Sequence, residues 1–142
     1  MKILELKTVR RLLGSFGERA ACRYLRRGGY RIEKRNFVGD DHEIDIIASN
    51  KDTLVFAEVK TRTLGKENPN EPRPASSVTP KKQRAIIGAA KIYAAFHPTK
   101  KKKRFDIIEV YVKPNSKRKR VAEIKHLQNA FNANTAFSQR KD

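Results

Sequence analysis

Three side chains in this sequence combine useful chemistry with a spacing that strands can exploit: Asp45, Glu58 and Lys60. Residues 43–49 and 53–62 are two runs of β-forming residues separated by Asn50-Lys51-Asp52, the pattern of a β-hairpin. A turn centred between Lys51 and Asp52 sets residue 50 across from 53, and residue 45 across from 58. Asp45 and Glu58 then face each other, with Cβ atoms about 4.5–5.5 Å apart. Carboxylates so placed repel unless a cation or a shared proton lies between them. Side chains alternate along a strand, so Lys60 points the same way as Glu58. The chemistry that calls for this set is a divalent metal site with a lysine beside it.

The elements that must position these groups follow from periodicity. Over residues 9–27, Leu12, Leu13, Phe16, Ala20, Tyr24 and Leu25 recur at helical steps, and Gly28-Gly29 stops the pattern. Residues 1–8 read as a loosely held arm. Gly14 and Gly17 are poor helix formers and predict close approach of another backbone. Glu18 is the one acid of this helix. Spacing alone favours an ion pair with a neighbouring arginine over a carboxylate leaning towards a metal. A first strand is predicted over residues 30–37, followed by a turn at Gly39-Asp40-Asp41-His42 in which His42 is exposed. On the second hairpin arm, Leu54, Phe56, Glu58 and Lys60 share one face, and Val55, Ala57, Val59 and Thr61 share the other. Both faces are largely apolar, so this is a central strand covered on both sides, where charges are costly unless partnered.

Residues 63–78, with Pro69, Pro72 and Pro74, read as a loop able to clamp a substrate. Thr79 and Pro80 cap and open a second helix that runs to about Phe96, with His97-Pro98 ending it. Residues 104–112 form a strand, and the loop-and-helix connection suits a parallel crossover. Residues 121–126 form an edge strand, a short helix is expected around residues 128–133, and the chain from 134 to 142 is a disordered tail. A single domain over residues 1–133 results: a mixed sheet with helices packed on it.

Charge narrows the partner. The 142 residues carry a net charge of +18, which favours polyanions, nucleic acid before an anionic membrane surface. Residues 31–60 alone reverse the sign, with 5 Lys/Arg against 7 Asp/Glu. Carboxylates there would repel a phosphate ligand, whereas a metal-dependent enzyme acting on a polyanion needs them. One cysteine excludes an internal disulfide, and neither a signal peptide nor an 18-residue apolar stretch is present. A cytoplasmic protein without membrane association is expected.

With these residues in place the chain resembles a known superfamily. Asp45, twelve intervening residues and Glu58-Val59-Lys60 resemble the PD-(D/E)XK nucleases. The wider set resembles their YraN-like branch: Gly14, Gly17-Glu18, Ala21, Gly29-Tyr30, Arg35-Asn36, Glu43-Ile44-Asp45, Val55-Phe56 and Glu58 to Arg62. It continues through Val78, Lys82, Tyr93, Arg104-Phe105-Asp106 and Asn129-Ala130-Phe131. His42 and Ala57 depart from that pattern without removing a ligand, and Gln83 has no tyrosine four residues on. The resemblance implies an α/β, restriction-endonuclease-like αβββαβ core. It also implies Mg²⁺ (or Mn²⁺) on Asp45, Glu58 and the Val59 backbone carbonyl, ligands of the oxygen type both ions prefer. Lys60 would steady the attacking water and the phosphate. Glu18 is similar in placement to the extra acid of the Holliday-junction-resolvase branch. Glu43, on the same face as Asp45, is a supporting acid.

The leading expectation is therefore a metal-dependent nuclease acting on DNA, branched or otherwise structured. Arg62, Lys82, Arg84, Lys101 and Lys102 are the candidate nucleic-acid contacts, and a two-fold homodimer would suit a two-fold junction. The alternative is a non-catalytic DNA- or RNA-binding protein that retains the nuclease fold. Ordinary ion pairs at Glu58–Lys60 and Glu18–arginine rank last, because they leave Asp45 without a partner.

Overall fold

In the computed structural model, which describes residues 3–66, 78–115 and 117–132, the turn at Asn50 sets the register that matters most. The Asn50 side-chain oxygen accepts from the Asp52 and Thr53 amides at 3.0 and 2.8 Å, and the Asn50 amide donates to the Thr53 carbonyl. The flanking strands, β2 (His42–Ser49) and β3 (Thr53–Thr63), therefore pair as Ser49↔Leu54 through Ile46↔Ala57. This is the register expected from the hairpin.

The sheet has five strands in the order β1-β2-β3-β4-β5, with β1 at Arg31–Gly39, β4 at Lys102–Val112 and β5 at Val121–Phe131. Only β3 and β4 are parallel, joined through helix α2 (Pro80–Phe96). Thr79 caps α2 by accepting from the Lys82 amide, and Pro80 takes the first position, as the sequence predicts. The opening helix α1 (Ile3–Arg27) covers one face of the sheet and α2 the other. The alternation in β3 holds: Leu54 and Phe56 pack in the α2-side core, Val55, Ala57 and Val59 in the α1-side core. This is an α/β domain with a mixed sheet and two helices, as in the core of restriction-endonuclease-like proteins.

Several expectations are corrected. The chain is helical from Ile3, not a loose arm. Leu12 does not join the core and is exposed; α1 packs on the sheet only from Leu13 and Phe16 onward. The first strand continues to Gly39, and His42 opens β2 half-buried, its Nε2 without a hydrogen-bond partner, rather than sitting exposed in a turn. Gly17 does lie close to another element, since a β-carbon there would overlap the Thr61 side chain, whereas Gly14 has nothing near it. The short helix expected at residues 128–133 is instead the end of β5. Asn129 adopts a left-handed φ of 55° and its amide donates to Asp106 at 2.9 Å. That bulge lets Phe131 pair with and stack on Phe105. The expected loop at residues 67–77 and tail at 134–142 lie outside the described residues.

Candidate active site

The site forms where two strands part. β2 stays paired with β1 down to His42, and β3 stays paired with β4 to Thr63, but the β2–β3 ladder ends at Ile46↔Ala57. One step beyond, Asp45 comes opposite Glu58. The Val59 amide, left without a β2 partner, donates to the Asp45 carboxylate at 2.7 Å. A residue's N–H and C=O point to the same side of a strand, so the Val59 carbonyl faces the same opening. The opening is a cleft of about 330 Å³ lined on one side by Arg10, Gly14 and Glu18 of α1, and on the other by Asp45 and residues 58–61.

The electrostatics are unrelieved at Asp45. Burial, then the charge of Glu58, push its carboxyl from 3.8 up to about 7, and the Val59 hydrogen bond only partly opposes this. Glu18 and Glu43 push the same way. Glu58 is better placed: Lys82, in the first turn of α2, reaches it at 2.9 Å, and Lys60 stands at 3.7 Å. Burial and the adjacent Lys82 charge lower the pKa of Lys60. Burial also acts against the charge of Lys82, but its bond to Glu58 outweighs that and raises its pKa.

Glu18 is held over the cleft from outside α1. Asn36 donates to it at 3.0 Å and Arg35 approaches at 3.6 Å, which gives the Arg35-Asn36 pair a physical role. Asn36 sits at φ 52°, a left-handed conformation that asparagine tolerates better than most residues. Glu43 is exposed and acts on Asp45 only through its charge.

The basic candidates divide. Lys82 belongs to the cleft. Arg62, farther along β3, stands 3.6 Å from buried Glu109 of β4, which also accepts from Tyr111 at 2.9 Å. Arg84 is exposed on α2, two residues from Lys82 and hence on a different side of the helix. Lys101 and Lys102 lie at the hairpin-turn end: Lys102 pairs with Thr53, five residues before Glu58, roughly 16 Å away along the strand. The structure does not bring them to the cleft.

Sequence reasoning missed Arg10, Glu109 and the anchoring of Glu18. The signal for Glu109 was present: a carboxylate in an otherwise apolar central strand, the same oddity that marked Glu58. For the others no local signal existed, because each contact joins separate elements.

A divalent cation fits the donor set in kind. Asp45, Glu58 and the Val59 carbonyl are oxygen ligands, and the raised pKa of Asp45 marks a spot short of positive charge. Among the described residues, no group of three His, Cys, Asp or Glu side chains is arranged to hold a metal. No helix among them is long and apolar enough to cross a membrane.

Comparison with known proteins agrees with the geometry. The model of uncharacterised protein family UPF0102 matches residues 17–110, from Gly17 in α1 to near the end of β4. A UPF0102 protein of Caldanaerobacter subterraneus subsp. tengcongensis is 41% identical over 132 residues, 92% of this chain and all of its own length. Relatives from Chlorobium phaeobacteroides (43% identical, 86% of this chain and 94% of theirs) and Chlorobaculum parvum (46%, 84% and 91%) are similar over nearly the same span.

Proposed function

We propose for this chain, which belongs to the UPF0102 (YraN) family of PD-(D/E)XK-like proteins, a metal-dependent nuclease activity on DNA, structured or branched DNA included. The observation that carries this reading is the frustrated pair at the strand fork: Asp45 is half-buried beside Glu58, with its pKa pushed up to about 7 and no lysine or arginine in ion-pair contact with it. A structural site would place a lysine or arginine in contact with Asp45, whereas Lys60 and Lys82 pair with Glu58 and act on Asp45 only at longer range.

Mg²⁺ or Mn²⁺, held by Asp45, Glu58 and the Val59 carbonyl, would neutralise charge at a scissile phosphate and lower the pKa of water beside it. The chain's own groups account for the rest. The Val59 amide fixes one Asp45 oxygen, leaving the other for the cleft. Lys60, half-buried and with a lowered pKa, is placed to hold the attacking water or the phosphate and to move a proton at its Nζ. Lys82 holds Glu58 in position and adds positive charge on the α2 side. Glu18, aimed by Asn36 and Arg35, supplies a further carboxylate at the α1 wall.

The second reading, a nucleic-acid-binding protein without catalysis, is favoured by one observation: Lys82 already stands 2.9 Å from Glu58, where it neutralises that carboxylate without a metal. A single set of assays separates the two. Labelled single-stranded, duplex, flap and four-way-junction DNA are incubated with Mg²⁺ or Mn²⁺. Cleavage that Glu58→Ala and Lys60→Ala each abolish, with binding retained, supports the nuclease. Absence of cleavage on every substrate, with Asp45→Asn and Glu58→Gln binding DNA as well as or better than the parent, supports the binding protein.

A further inference from the structure

A second cavity, of about 360 Å³, lies at the far end of α1 from the cleft, and its lining includes Tyr24, Arg27, Tyr30, His126 and Gln128. Its two tyrosines are tied to one buried carboxylate by separate arms. Asp106 accepts from Arg104, whose Nη2 also donates to the Tyr30 hydroxyl at 2.8 Å. Its other arm is His126, at 2.7 Å, whose Nδ1 stands 3.0 Å from the Tyr24 hydroxyl. The hydroxyls are thus held by hydrogen bonds, and both half-buried tyrosines line the cavity, with the Arg104 guanidinium 5.7 Å from the centre of the Tyr30 ring. An arrangement meant only to staple β5 to α1 has no need of two aromatic rings at a cavity mouth.

The outer face of α1 leading to this cavity is basic. Arg19, Arg23 and Arg27 are exposed at four-residue steps on α1, one stripe on which like charges repel each other. Among the described residues none of the three has a carboxylate partner in the recorded ion pairs. The stripe ends in the cavity, where Arg27 is part of the wall, and it runs on the side of α1 turned away from the cleft-lining Arg10, Gly14 and Glu18. A positive track that leads to aromatic faces is how single strands are held: phosphates on the cations, bases on the rings.

We propose that the tyrosine cavity receives an unpaired nucleobase of a nucleic-acid strand whose phosphates follow the arginine stripe to Arg27. The substrate class is then nucleic acid with a single-stranded segment, such as an overhang, flap or open junction, rather than continuous duplex. This rests on the nucleic-acid reading above, and its binding half does not depend on catalysis.

The test is binding in metal-free buffer, with labelled blunt duplex, the same duplex bearing a single-stranded overhang, and that overhang with abasic sites. The expected result is a preference of roughly tenfold for the overhang, lost when the bases are removed. Tyr24→Leu and Tyr30→Leu each erase the preference, whereas Tyr24→Phe, which keeps the ring and loses the hydroxyl, retains it. Equal affinity for blunt and overhanging DNA, or abasic overhangs bound as tightly as intact ones, overturns the proposal without needing any variant to fold. So does loss of the preference in Tyr24→Phe, the mark of a purely structural network. Addition of Mg²⁺ to the same DNAs separates the two ideas: an intact preference without cleavage counts against the nuclease alone, and cleavage without a preference counts against the cavity alone.

Discussion

Asp45 and Asp106 are both strand aspartates withdrawn from water, and their surroundings act on them in opposite directions. Around Asp106, burial disfavours the charge, but His126, Arg104 and the Asn129 amide more than compensate and hold the carboxyl below its ordinary range. Around Asp45, burial is reinforced by Glu58, Glu18 and Glu43, and the Val59 amide, with Lys60 and Lys82 at longer range, opposes it only in part. One carboxylate completes the fold: it stitches β4, β5 and the Tyr24–Tyr30 end of α1 together. The other costs stability and is placed where two strands separate. A strand acid withdrawn from water therefore says little by itself; what separates these two is whether the chain supplies the counter-charge.

The largest effect that would sharpen this contrast is on the satisfied side. Asp106→Ala leaves Arg104 and His126 without their shared anion and should destabilise the fold by about 3–5 kcal/mol, read as a large drop in melting temperature. Asp45→Asn should leave the melting temperature unchanged or raise it; a loss as large as that of Asp106→Ala would erase the distinction between the two sites.

Next is pH. A carboxyl with a folded pKa of about 7, against 3.8 ordinarily, binds more protons folded than unfolded between those values. Its contribution to stability therefore falls as pH rises from about 4 to about 7, by on the order of 3–4 kcal/mol. Asp106, with a lowered folded pKa, contributes stability that is present above its unfolded pKa and lost as pH falls through the folded one. Denaturant titrations at several pH values should show the first slope in the parent and not in Asp45→Asn. Mn²⁺ affinity, measured by calorimetry, should climb over the same interval and level off above pH 7, because the cation must displace that proton.

A smaller effect tests how α1 is seated against the site. Gly17→Ala drives a β-carbon into Thr61 and should cost about 1–3 kcal/mol, with part of the loss recovered in a Gly17→Ala, Thr61→Ser double variant. An unchanged melting temperature would mean that α1 does not press on β3 as described. The smallest concerns Asn36. Asn36→Gly keeps the left-handed backbone and removes the hydrogen bond to Glu18, so stability should change by less than about 1 kcal/mol. Any cleavage should fall together with that of Glu18→Gln, and a fall in one without the other would break the link between them.

Much of this was legible in the chain because it is local. Asn50 and the alternation around it set the hairpin register, and from that register the approach of Asp45 to Glu58 follows. Thr79-Pro80 and His97-Pro98 bound α2 for equally local reasons, a cap and a missing donor. Where reading failed, the deciding partner was remote. β5 runs on through residues 127–131 because Asp106, 23 residues from Asn129, accepts the amide that the bulge frees. The parallel pairing of β3 with β4 likewise sets how far Lys101 and Lys102 stand from the cleft, a distance no local pattern gives.

The sequence by itself determined that two carboxylates and a lysine would meet across two neighbouring strands, because alternation and turn chemistry act between near neighbours. Only the tertiary structure decided that β2 and β3 part just beyond Ile46 and Ala57, that Lys82 swings in from α2 to Glu58, and that Arg35 and Asn36 hold Glu18 at the cleft. Those contacts join elements distant in the chain, and their energies depend on burial and charge that no short stretch of residues can encode.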